Sequence, residues 1–450
     1  MVPGWPAGMR RASRRLPNAG RPAQVGFWAV AGRWLTIPRT FAAILTALPR
    51  RMRTSRVSQF LLQPRFVVAL YAVLTVLVSF QHYFKGSINN YLIFVKPFFN
   101  LVAGNNLYLE YPEYYYDTYK YSPVFALFMG VFAWMPNWLG LLLWNVLNNT
   151  VLYLAGRRLF PDVRRQLLFL LLVFIDVMTA LHNSQANCLL VGLMLWTYFN
   201  LENKKPVWAG LCIALAFLIK IYGVGIGLLF LFYPGFIRNS AWAAFWVVVL
   251  AFTPLLVVSW ADFQMIYIGW YDIVRASTTG VQLSLMGVLD TWLGLSVSKG
   301  AVQVAGLALL LLPLAYWQAW RETHYRRLYV ASILIFVVIF NQMAESPTFI
   351  IAVTGFVFWF LHYRRSTPLA WGLFALVALF TSLSATDIYP HFIRSGVFDT
   401  YKIKAVPMIL AWAVIQGQLL LYPRWRQRLA ASSEAAQQQP ADAPQPAATV

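Results

Sequence analysis

From Phe66 to Tyr422 the chain is a series of apolar runs separated by short polar links. The runs fall at 66–82, 123–136, 138–156, 167–181, 186–201, 207–223, 224–237, 241–259, 300–320, 328–343, 347–363, 368–384 and 405–422. Stretches long enough to cross about 30 Å of hydrocarbon recur along the whole series. The pattern predicts an all-α, polytopic transmembrane helical bundle of about 12–13 hydrophobic segments.

The links carry the orientation. Basic residues gather at Lys204-Lys205, Arg238, Arg321 to Arg327, Arg364-Arg365 and Arg424 to Arg428, which marks these links as cytoplasmic. From residue 186 onward this fits simple alternation. Upstream, the basic link from Arg157-Arg158 to Arg164-Arg165 would fall outside if every run crossed from a cytoplasmic N-terminus. One run is therefore expected not to cross, and the short, proline-bounded Pro123–Pro136 is the candidate. Twelve crossings then leave both termini in the cytoplasm. Two long polar links lie on the external side, Gln81 to Ser122 and Trp260 to about Lys299. A third, Ala385 to Lys404, holds Asp387, His391, Arg394, Asp399 and Lys402.

Composition agrees with a lipid solvent. The chain is 60% hydrophobic and 11% charged, against about 25% charged for a soluble domain, which must build a wettable surface. No Asp or Glu precedes Glu110, while the first 65 residues hold twelve arginines. Ahead of a spanning helix such a leader fixes orientation and favours anionic lipid, so no nucleic-acid partner is expected. The domains read as an arginine-rich cytoplasmic or interfacial leader at 1–65, a transmembrane domain at 66–422 with its outer loop at 81–122, and a disordered cytoplasmic tail at 423–450. The setting expected is a bacterial inner membrane. Cys188 and Cys212 fall inside apolar runs and support neither a disulfide framework nor a metal site.

Four polar constellations interrupt the apolar background. The outer loop contains Asn89-Asn90-Tyr91, Gly104-Asn105-Asn106, Glu110, Glu113 and Asp117-Thr118-Tyr119-Lys120-Tyr121-Ser122-Pro123. An interfacial aromatic belt accounts for the tyrosines; it does not account for the acids and the lysine beside them. The second is His182-Asn183-Ser184-Gln185-Ala186-Asn187, either a polar hairpin turn or a row of amides suited to sugar hydroxyls and phosphate oxygens. The third is Lys220, with Tyr222 beyond it, deep in an apolar run. Snorkelling is the bland explanation, and a functional cation is the other. The fourth is Asn341-Gln342-Met343-Ala344-Glu345-Ser346-Pro347. Walker loops, HExxH, CxxC pairs and Gly-x-Ser-x-Gly elbows are absent from the sequence, which removes most of the case for ATP-driven transport or zinc proteolysis.

Tyr-x-Tyr-Ser-Pro at 119–123, Trp144 and Asn145, Asn183-x-Gln185-x-Asn187, and Lys220-x-Tyr222 after Ala209-Gly210-Leu211 occur in that order. This order resembles the family-87 glycosyltransferases, membrane enzymes of the C superfamily, over roughly Phe66 to Trp260. The resemblance implies a long first outer loop with interfacial helices and a cavity opening to the periplasm. It further implies a polyprenyl-phosphate-linked sugar entering from the bilayer and a hexosyltransferase-type transfer to a lipid or glycan acceptor. Neither a nucleotide-sugar site nor another cofactor follows from it, and a divalent metal is left open. Such enzymes place an acid after the first span as the base on the acceptor hydroxyl, whereas here the stretch reads Ile88-Asn89-Asn90-Tyr91. An amide cannot take that proton.

Glu113, Asp117 and Glu345 are therefore the candidate catalytic carboxylates, with Glu110 behind them. Asn89, Asn90, Tyr119, Lys120, Tyr121, Asn183, Gln185, Asn187, Lys220 and Tyr222 are the candidate substrate contacts, the two lysines facing the leaving phosphate. The alternatives are a carrier or flippase of lipid-linked saccharide, which Lys220 and Asp176 would suit, and an inactive glycan-binding relative, which Asn89-Asn90 would suit.

Overall fold

The structure is a computed structural model that describes residues 56–423 except 277–280, 296 and 363–366. The leader up to Ser55, Arg364-Arg365 and the tail from Arg424 lie outside the described residues. Among those described, every element is helical.

Among the described residues six helical stretches are long and apolar enough to cross a membrane: Pro64–Phe84, Asn137–Gly156, Val163–His182, Phe236–Leu256, Pro368–Ala385 and Ile403–Leu420. The remaining apolar runs form shorter or broken helices. Three of these, Asn187–Glu202, Thr323–Ile339 and Phe349–His362, are buried on nearly every side. Helices apolar all round belong in the centre of a bundle.

In chain order the helices that place the site are α1 (Pro64–Phe84), α2 (Asn89–Val102), α3 (Pro123–Ala133), α4 (Asn137–Gly156), α5 (Val163–His182), α6 (Asn187–Glu202), α7 (Pro206–Ile219) and α8 (Phe236–Ala251). They are followed by α9 (Trp260–Ala276), α10 (Leu285–Leu293), α11 (Lys299–Leu311), α12 (Thr323–Ile339), α13 (Phe349–His362), α14 (Pro368–Leu376) and α15 (Val406–Leu420). The first long outer link contains α2, and the second contains α9 and α10. At 11 residues α3 is about 16 Å long, well short of the hydrocarbon thickness. Pro123 opens it without losing a needed N–H, and the Ser122 hydroxyl caps it by accepting from Phe125 N at 3.2 Å.

Apolar surface drives little association between helices already in lipid, so polar side chains and close backbone packing join them. Along the α1–α4 seam Asn145 Nδ2 donates to Ser79 Oγ at 3.0 Å, and Asn149 Nδ2 donates to Thr75 Oγ1 at 2.6 Å. Tyr71 on α1 donates to the Leu170 carbonyl of α5 at 2.7 Å. Between α7 and α8 glycine sets the approach. A Cβ on Gly210 would meet the Trp242 carbonyl carbon at 2.7 Å and Ala243 N at 2.8 Å. Backbone cannot step aside, so Gly210→Val should wedge the pair apart at a cost of about 1–3 kcal/mol. The expected result is a lower thermal midpoint in detergent; an unchanged midpoint would mean that the two helices are not packed this closely.

Hydropathy places a helical turn between 223 and 224, and the structure moves it. Helix α7 ends at Ile219, and a 3₁₀ helix runs from Ile221 to Phe232. A Cβ on Gly223 would meet the Ala216 carbonyl at 2.6 Å, and one on Gly227 would meet Ile213 Cδ1 at 2.7 Å. Pairing 216 with 223 and 213 with 227 shows the chain doubling back on itself at Lys220. The apolar run continues through Ile221-Tyr222-Gly223, so an apolarity profile sets the turn late. At the other end of this hairpin Arg326 grips Glu202 with Nε–Oε1 at 2.7 Å and Nη2–Oε2 at 3.0 Å, and Tyr233 donates to the same carboxylate at 2.7 Å. Such a two-point, charge-assisted clasp fixes both distance and angle.

Candidate active site

A cavity of about 630 Å³ collects residues from six separate segments of the chain. The outer loop supplies Asn90, Asp117, Lys120 and Tyr121; the α5–α6 link supplies Gln185; the hairpin apex supplies Lys220 and Tyr222; α9 and α11 supply Trp270 and Gln303; and the α12–α13 link supplies Asn341, Gln342 and Glu345.

The hairpin tip is held from two sides. Ser122 Oγ donates to the Leu218 carbonyl at 2.5 Å, and Tyr119 OH donates to the Ser122 carbonyl at 2.8 Å. Tyr119 is thus fully buried beneath the site and anchors it without lining the cavity. Lys220 has extended backbone, φ −143° and ψ 122°, which ends α7. Its Nζ donates to Asn187 Oδ1 at 3.0 Å and Gln185 Oε1 at 3.2 Å, and lies 5.8 Å from the centre of the Tyr121 ring. Both acceptors are neutral amides. Among the described residues no carboxylate lies within ion-pair distance of this ammonium.

The amides are placed by the turn between α5 and α6. Ser184 takes a left-handed φ of +51°, and Trp144 Nε1 donates to its carbonyl at 2.9 Å. Asn148 Oδ1 accepts from Leu189 N at 3.0 Å, tying α4 to the start of α6. Asn183 turns away: its Nδ2 donates to Thr179 O at 2.8 Å, and its backbone carbonyl accepts from Asn90 Nδ2 at 2.9 Å. Of the three amides expected to face substrate, Gln185 lines the cavity, Asn187 acts through Lys220, and Asn183 contributes its carbonyl.

The carboxylates separate. Glu113 is exposed and outside the cavity lining. It faces the loop's own aromatics: the Tyr115 phenol is pushed up to about 12, first by burial and then by Tyr111 and Glu113. Glu110 is likewise exposed and away from the lining. Asp117 and Glu345 both line the cavity, and both act on the Tyr121 phenol, which burial first and then these two charges hold well above its ordinary value.

Asp117 sits at φ +83°, a region that side chains other than Gly, Asn and Asp seldom occupy. Lys120 Nζ reaches its two oxygens at 2.9 and 3.1 Å, and Thr118 N donates to Oδ1 at 2.7 Å. The preceding residue is clamped. Asn89 Oδ1 accepts from Tyr116 N at 2.7 Å, and its Nδ2 donates to Tyr116 O at 3.0 Å. Asn89 is therefore a backbone clamp beside Asp117 and does not reach the cavity. Glu345 is carried by the α12–α13 link, which two backbone hydrogen bonds hold in place: Gln282 N to Gln342 O at 2.9 Å and Leu283 N to Ala344 O at 3.0 Å.

Trp270 and Gln303 line the cavity without having stood out in the sequence. Trp270 lies in a helix that reads as a link, and Gln303 is a single amide in an apolar run.

A second, apolar cavity of about 500 Å³ lies along the hairpin, between the 3₁₀ helix, α8 and α11, and is lined by residues such as Leu228, Leu231, Phe236, Leu307 and Leu310. Val224 lines both cavities. The polar chamber and the apolar trough thus lie on either side of Val224, four residues beyond Lys220.

A comparison with curated proteins finds no match. The family model described as glycosyltransferase family 87 matches residues 119–347, just over half of the chain. The match begins later and runs further than the sequence motifs suggest, taking in Glu345 and leaving out Asn89, Asn90, Glu113 and Asp117. It spans the Tyr119–Pro123 anchor, the amide turn, the Lys220 apex and the Glu345 link, which build most of the chamber, and the chain belongs to glycosyltransferase family 87.

Proposed function

We propose that the chain transfers a hexose or pentose from a polyprenyl-phosphate to the hydroxyl of a lipid or glycan acceptor, on the periplasmic side of a bacterial inner membrane. The observation that carries this reading is the junction at the hairpin apex. An ammonium hydrogen-bonded to neutral partners faces a chamber with two carboxylates, and an apolar trough leads away from the same apex. A sugar, a phosphate and an isoprenoid chain need those three surroundings in that order.

In this reading the phosphate of the donor sits on Lys220, and the sugar lies in the chamber among Gln185, Asn90 and Gln342. The acceptor oxygen attacks the anomeric carbon as the bond from that carbon to the phosphate oxygen breaks. The acceptor proton passes to Asp117, and the electron pair leaves with polyprenyl phosphate, whose growing charge Lys220 offsets. Lys120 holds the Asp117 carboxylate in place through both of its oxygens, at 2.9 and 3.1 Å. Asn89, where an acid is expected for this family, acts as a positioning residue by holding the Tyr116 backbone.

The trough gives a chain-length test. Leu307 is 41% exposed on its wall, and Leu307→Trp would narrow it. The variant should raise KM for long polyprenyl donors about tenfold, since each buried CH₂ contributes about 0.8 kcal/mol, and leave KM for a citronellyl-phosphate donor unchanged. Equal effects on both donors would place the tail elsewhere.

A further inference from the structure

A second polar pocket, about 330 Å³, lies across the α12–α13 link from the chamber. Glu345 lines one and its neighbour Ser346 lines the other. The second pocket gathers Lys404, Arg394, His391, Ser384, Ser395 and Asp399 from the two segments around 384 and 391–404.

Lys404 is the informative member. It is 4% exposed, and its Nζ donates to Ser346 Oγ at 2.9 Å. Among the described residues no carboxylate lies within ion-pair distance of it. Keeping an ammonium away from water without an ion pair is costly. Arg394 adds a second cation. Its Nη1 pairs at 3.0 Å with Asp387, whose side chain is 96% exposed, while its Nε is buried without a hydrogen-bond partner. The acids near the pocket are Asp399 in its lining and Asp176 on the bundle side. Hydroxyl donors complete the lining. Ser384 gives its proton to Thr381 O at 2.8 Å and Ser395 to His391 O at 2.9 Å, so Ser346, whose oxygen accepts from Lys404, keeps its own proton to donate.

An ammonium and a guanidinium lining one pocket with a hydroxyl donor match a tetrahedral oxyanion. We propose that this pocket binds the phosphate ester of the acceptor, so that the acceptor is an anionic lipid whose headgroup bridges from Lys404 past Glu345 into the chamber. The identity of the phosphate's carrier rests on the glycosyl-transfer reading; the anion site itself does not. One phosphate then belongs to Lys220 and another to Lys404, with the α12–α13 link between them.

The test is calorimetric titration of the full chain, in phosphatidylcholine nanodiscs, with inorganic phosphate. Lys404→Met and Arg394→Gln should each weaken one binding component at least tenfold and leave a component that Lys220→Met removes. Arg394 is partly exposed, so its variant keeps the test open if Lys404→Met fails to fold. Binding that neither variant alters would overturn the site. Competition then identifies the carrier. Displacement of the Lys404-dependent component by dihexanoyl phosphatidylglycerol supports an acceptor headgroup. Displacement by citronellyl phosphate alone overturns that assignment and gives the pocket to the donor. If the binding pattern holds while the wild type transfers no sugar, the glycosyl-transfer reading fails and the anion site stands.

Discussion

Asp117→Asn is expected to abolish most transfer while leaving the protein folded and able to bind donor. The amide is the same size and can still accept from Thr118 N, so the loop should keep its shape. It cannot take the acceptor proton. Loss of a positioned base lowers rate about 10²–10⁴-fold, which is about 3–5 kcal/mol of barrier, and the loss should fall on kcat. A second substitution separates chemistry from shape. At φ +83° a glycine is at ease, so Asp117→Gly should fold at least as well as wild type and be as inactive as Asp117→Asn. Glu345→Gln should fall less far, because in this reading Glu345 contributes polar contact and charge to the chamber while the acceptor proton goes to Asp117. If Glu345→Gln is the dead variant and Asp117→Asn retains activity, the base belongs on the α12–α13 link.

Lys220→Met should separate stability from activity. Wild type keeps a partly buried ammonium on two amide oxygens, at 3.0 and 3.2 Å, with no carboxylate within ion-pair distance among the described residues. Methionine fills the same space without the desolvation cost, so the ligand-free variant should melt at the same temperature as wild type or higher. Transfer should fall about 10²–10³-fold, the loss typical when a donor to a developing oxyanion is removed. A residue that merely snorkelled or packed the hairpin tip would show the reverse pattern, lower stability with activity retained. Trading stability for a functional charge is the signature expected of a site residue.

Much of the fold is legible in the sequence because lipid enforces it. Apolar length and basic links mark the helices, and Pro123, Pro206 and Pro368 open three of them at their first positions. What the sequence hides is geometry that polarity does not encode. Lys220 lies inside an unbroken apolar run, and the close approaches of Gly223 to Ala216 and Gly227 to Ile213 show that the chain reverses there. The site divides the same way. Asp117, Lys120, Gln185, Lys220 and Glu345 stand out as polar residues in apolar surroundings and come together in the chamber. Tyr119, Asn89 and Asn183 stand out equally, but their side chains are spent on backbone partners. Trp270 and Gln303 were invisible because a single polar or aromatic residue in an apolar helix carries no local signal.

The most direct test of the central claim uses the purified full chain in lipid, with radiolabelled polyprenyl-phosphate sugars and an envelope lipid and glycan extract as acceptor. Product is separated from donor, and donor crossing of the bilayer is followed in the same vesicles. Glycosyl transfer predicts label on an acceptor, matched by release of polyprenyl phosphate and lost in Asp117→Asn and Lys220→Met. Donor that binds and crosses the bilayer with its sugar still attached, in wild type and Asp117→Asn alike, would contradict it and make the chain a carrier.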